Sequence, residues 1–168
     1  MKSRIKKIFG KDNVEYTVKQ TMQPVEETRL ILEDLNEKEK EFIENSLGRA
    51  AELLKGQGMT GEAHLFNPDN IDKAIELWFV NNLEQTLGMD TTVYSDILAS
   101  AWGQFLIDSF GMQWHVITDN YGTEVGLYHK NNNTTIMPFV SMMKAFNNRN
   151  FSLISIITEQ VKEAINAK

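Results

Sequence analysis

The residues whose types could do chemistry are few and scattered. The chain holds three histidines, His64, His115 and His129, in three separate segments. No two of them share a helix at ligand spacing, and a metal site would need them to converge with carboxylates. No metal site is expected. There is no cysteine, which excludes disulfides, Cys-ligated zinc and thiol catalysis. Asp108 and Asp119 flank the turn at Gly111, a spacing that suits a carboxylate pair for acid–base work. Turn formation explains them more simply, because Asp is a favoured turn residue. Ser95, Ser100 and Ser109 lack the GxSxG elbow that activates a nucleophilic serine. The stretch KGQGMTGE, with Gly56, Gly58 and Gly61, resembles a phosphate loop, but Glu62 stands where Lys and Ser or Thr are needed. No catalytic residue and no cofactor is expected, and the reading leans against an enzyme.

Two features remain as functional leads. One is a hairpin face bearing His115, Ile117, Glu124 and Tyr128, expected to be the less covered side of a sheet and a surface for a protein partner. The other is Gly103, inside an apolar helix, where it costs about 1 kcal/mol relative to Ala. Close approach of a backbone or a large ring would compensate. A ligand lying across it, in a pocket between that helix and the sheet, is the alternative.

The elements that must position these residues follow from periodicity. Residues 25–55 read as helix, first with Leu30, Ile31 and Leu35, then with Ile43, Leu47, Ala50 and Leu54 on one face. Asn36 and Glu39 stand as a capping pair, and the NEKEKE run reads as solvated surface. A helix capped by Asn67 or Asp69, with Pro68 in its first turn, runs to Gly88. It is apolar on several sides, so it is expected at the centre of the helical layer. A helix over residues 95–110, capped by Ser95 or Thr92, carries Leu98, Ala101, Trp102, Phe105 and Leu106 at amphipathic spacing.

After Gly111 the period becomes two. With a turn at residues 119–122, Thr118 faces Thr123, Val116 faces Val125 and Trp114 faces Leu127. That face is expected toward the helices. A third strand ends at Pro138, and helices follow over 139–146 and 151–166. Met137, Met142 and Met143 read as core filling, with an adaptable binding surface as the alternative. The fold class is α+β: several helices packed on one face of a small three-stranded antiparallel meander. Residues 1–20 form a basic N-terminal arm, and 21–168 a single domain with a helical part over 25–110, sheet over 112–137 and C-terminal helices over 139–166.

Charge narrows the partners. The net charge is −6 over 168 residues, yet the first twenty hold Lys2, Arg4, Lys6, Lys7, Lys11 and Lys19. The acidic body argues against nucleic acid, whose binding draws on Lys and Arg. No run reaches the ~20 apolar residues of a membrane span, so the expectation is a soluble cytoplasmic protein without a transmembrane segment. A homo-oligomer is compatible with these features.

The stretch from about 95 to 160 resembles the bacterial family called domain of unknown function 3806. The likeness rests on LASAWGQFL with its internal glycine, Gly111-x-x-Trp114, Asp119-x-x-Gly122, and Pro138-Phe139 leading to a helix with Lys144. The resemblance implies a bacterial source and brings no activity from which a catalytic residue could be carried over. The expected function is a non-enzymatic, acidic protein-binding module of the bacterial cytoplasm, an immunity or adaptor protein. A small-ligand-binding protein or enzyme is the alternative.

Overall fold

The structure, a computed structural model, describes residues 30–60 and 64–167. The basic arm over 1–20 and the start of the helix expected from residue 25 lie outside them. The elements are β1 (Ile31–Glu33), α1 (Glu37–Gly56), α2 (Pro68–Val80), α3 (Leu83–Leu87), α4 (Thr91–Phe110), β2 (Gln113–Asp119), β3 (Gly122–His129), β4 (Thr134–Ile136), α5 (Pro138–Asn148) and α6 (Leu153–Asn166). The class is α+β. The described sheet has four antiparallel strands in the order β1-β2-β3-β4, one more than the three-stranded meander expected.

The extra strand is β1, where a helix was expected. Ile31, Leu32 and Glu33 pair with Thr118, Ile117 and Val116. A short apolar run does not declare its period, and here the free edge of β2 decides it. The helix starts only after Asn36. There Asn36 Oδ1 accepts the Glu39 N–H at 3.0 Å, and Glu39 Oε2 accepts the Asn36 N–H at 2.8 Å. This reciprocal box meets two of the orphan donors of a helix start.

The long helix expected up to Gly88 is broken. Asn82 takes a left-handed conformation (φ 49°) between α2 and α3, which Asn tolerates better than most residues. Asn67 caps α2 with Pro68 in the first turn, as its sequence indicates.

The centre of the helical layer is α4, not α2. Residues 97–103 are all buried, so α4 has no wet side along that run. It packs against α1 and α5, with α2 and α6 also in contact. The small residues Ala99, Ser100, Ala101 and Gly103 let neighbours close in from several directions. Asp90 caps it, its Oδ1 accepting the Thr92 N–H at 2.7 Å, so the helix begins four residues before Ser95. Inside the layer Trp78 stacks on Tyr94 with ring centroids 4.4 Å apart. Trp102 Nε1 donates to Thr158 Oγ1 at 3.0 Å, a buried link from α4 to α6.

The hairpin register is the expected one: Trp114 faces Leu127, Val116 faces Val125 and Thr118 faces Thr123. The two threonine hydroxyls meet at 2.8 Å. Asp119 Oδ1 accepts the Tyr121 and Gly122 N–H groups, building the turn. Gly122 has φ 149°, where a side chain would be strained. Leu127 and Trp114 carry the sheet into the main core.

Candidate functional site

The predicted hairpin face does not present four accessible side chains. Ile117 is fully buried, a correction to its expected place on a wet surface. Its Cδ1 and the Met137 sulfur both close over Gly126, where a Cβ would lie within 2.9 Å of the former. Strand β1 also places Leu32 beside it. His115 is half-buried, its ring edge-on to Tyr128 at 6.1 Å. His115 Nδ1 is buried without a hydrogen bond and lies 4.0 Å from the exposed Asp34 carboxylate. Tyr128 donates to Asn133 Oδ1 at 2.6 Å. Only Glu124 of the four is exposed.

The other sequence candidates are spent on local structure. His64 packs edge-on to Phe105, and His129 bonds to Asn132. Asp108 accepts from Gln104 at 2.8 Å, and Asp119 builds its turn. Ser95 and Ser100 donate to the backbone of Thr92 and Asp96. Among the described residues no group of three or more His, Asp or Glu is placed to hold a metal ion, and no helix is long and apolar enough to cross a membrane.

Gly103 is explained by a ring. A Cβ there would lie 2.5 Å from Trp114 Cη2 and closer still to Cζ2. The indole lies across the helix there, the large ring whose close approach was expected to compensate the glycine. Trp114 Nε1 is buried and makes no hydrogen bond. The other face of this contact is aromatic too: Phe139 lies 5.9 Å from Trp114, and Phe42 lies 6.0 Å from Phe139.

That aromatic series leads to a groove of about 500 Å³. Asn36, Lys38, Glu39 and Phe42 come from the start of α1, Asp96 from α4, Glu124 and Val125 from β3, and Phe139 from the first turn of α5. The groove exists because β4 is short. It pairs only with residues 127–129, so the β3 edge over 122–125 has no partner strand among the described residues. Phe42 keeps 46% of its surface exposed, which is high for so large a ring.

Asp96 is the chemically distinct member. It is half-buried, and burial alone pushes its carboxyl above the ordinary carboxylate range. No described donor or cation offsets that desolvation. Glu39 and Glu124 share the groove, against one cation, Lys38. The arrangement suits a cationic group on an apolar stem: rings for the stem, carboxylates for the head. Sequence reading passed over Asp96, although it is the lone charge between Thr91 and Ile107. Phe42 stood at the end of a charge run read as solvated surface. Glu124 is the one predicted residue that lines the groove.

Fold and groove together define a small α+β domain with an open, acid-lined aromatic cleft beside a strand edge that no described strand pairs. Residues 79–151 match the family described as Domain of unknown function (DUF3806). The matched segment spans α3, α4, the hairpin, β4 and α5. It therefore supplies Asp96, Glu124, Val125 and Phe139, while the α1 side of the groove comes from outside it. No curated protein and no solved structure matches the chain.

Proposed function

We propose that the chain is a non-catalytic, acidic protein-binding module of the bacterial cytoplasm, acting as an immunity or adaptor protein. The observation that carries this reading is the groove: a wall of two packed phenylalanines, and, among the described residues, a half-buried carboxylate with no partner and a strand edge left unpaired alongside. A net charge of −6 supports it, because an acidic surface speeds encounter with a basic partner. The test is affinity purification of the tagged chain from its native cells, joined to growth rescue against a co-encoded toxin. A stoichiometric partner or a rescue is the expected result. Neither appearing would sink the reading.

A second reading, a small-ligand-binding protein or enzyme, draws on the groove's size, which lies within the range of small-molecule sites. A thermal-shift panel of metabolites, nucleotides and amines distinguishes it. A true ligand at a hundred times its Kd adds about 2.7 kcal/mol of stability.

A further inference from the structure

We infer that the groove is a docking site for an extended, arginine- or lysine-bearing segment of a partner protein. The cationic head meets Asp96, the aliphatic stem lies across the packed rings of Phe42 and Phe139, and the segment's backbone pairs with the edge of β3 over 122–125, which no described strand takes. This assignment rests on the protein-binding reading above and deepens it by naming the site and the occupant.

Three independent observations converge on this occupant. The first is charge: Asp96, Glu39 and Glu124 outnumber Lys38 in the lining. An anionic or neutral ligand would leave Asp96 uncompensated, whereas a cation offsets the desolvation that burial imposes on it. The second is the rings. Phe42 and Phe139 pack on each other with centroids 6.0 Å apart, and Phe42 still leaves 46% of its surface exposed, so the pair presents an open aromatic wall of the kind that holds an aliphatic stem and attracts a cation. The third is the backbone. Residues 122–125 pair with β2 on one side and with no described strand on the other, and such an edge is a template for strand addition. Glu124 and Val125 belong both to that edge and to the groove, so a strand laid on β3 passes directly over the cleft.

The test is an NMR titration of the full chain with the capped tripeptide acetyl-Val-Arg-Val-amide, and with its citrulline counterpart, which keeps the shape and loses the charge. Saturable shifts of the Asp96, Val125 and Phe139 amides are expected with the arginine peptide. Binding should weaken about tenfold with citrulline and with Asp96→Asn. Phe42→Ala, at a half-exposed ring that can be lost without unfolding, should weaken it several-fold. Equal affinity of the two peptides, shifts confined to other residues, or no shifts at millimolar peptide overturn the assignment. Agmatine binding as tightly as the peptide marks a small-molecule site and overturns the partner. If wild type and Asp96→Asn capture the same stoichiometric partner equally, this site is removed and the binding role stands; if neither captures one, the role itself fails.

Discussion

Gly103 and Trp114 share one volume. A methyl group at Gly103 would overlap the indole, and that ring cannot swing freely because Phe139 lies on it. Gly103→Ala gains roughly 1 kcal/mol of helix propensity but forces strain of about 1–3 kcal/mol. A net loss of stability in urea melts is expected, and a more stable variant would mean that the ring gives way. Trp114→Ala should cost on the order of 3 kcal/mol, since it empties the space over Gly103. A loss under about 1 kcal/mol would contradict the packing described. At Asp96 the sign is opposite. Its folded pKa lies above the unfolded one, so its unfavourable contribution is fully present at neutral pH. That burden is relieved as pH falls through the raised value toward the ordinary carboxylate range. Asp96→Asn should therefore raise Tm at pH 7 and lose its advantage on acidification. A Tm difference that is constant with pH would show that burial of the charge is not the cause. A carboxylate kept against stability in an open cleft is the pattern of a functional residue.

Among elements, α6 is held by a residue of α2. Asp72 is buried, and its Oδ1 accepts the Ile154 N–H at 3.1 Å while Oδ2 accepts the Ser155 N–H at 2.9 Å. The Ser155 hydroxyl donates to the same Oδ2 at 2.6 Å. This is an N-cap supplied across the fold, and α6 has no side-chain cap from its own Ser152. Burial pushes the Asp72 carboxyl upward despite these bonds. Asp72→Ala should cost about 2 kcal/mol, because one buried and one half-buried N–H lose their acceptor. Hydrogen exchange should then accelerate in the first turn of α6 more than elsewhere. Uniform acceleration would argue against a local cap. Nothing in the sequence around Asp72 announces this role: its partners lie more than eighty positions away. The Asn36 box, by contrast, is local, and its spacing was legible.

For the whole molecule, charge and edge act together. With a net charge of −6, association with a basic partner should slow as salt rises, because screening shortens the reach of the acidic surface. Stopped-flow rates at two ionic strengths check this. A rate insensitive to salt would remove electrostatic steering from the account. Dissociation should respond less, since contacts inside the groove are partly shielded from solvent.

The α+β class, the helices α1, α2 and α4 to α6, the Asn36 box and the full β2–β3 register were readable from the sequence. Each rests on a local period or a local hydrogen bond. That Gly103 needed a large ring or a backbone against it was readable too, but not which one. Tertiary structure alone decided that residues 31–33 form a strand, because only an open sheet edge gives that short run its partner. It alone decided that α4 and not α2 sits at the centre, since small residues state that neighbours can approach and not how many do. It also buried Ile117 and gathered Phe42, Asp96, Glu124 and Phe139 around one cleft. These residues come from four elements, and no spacing along the chain encodes a distance between elements that only packing brings together.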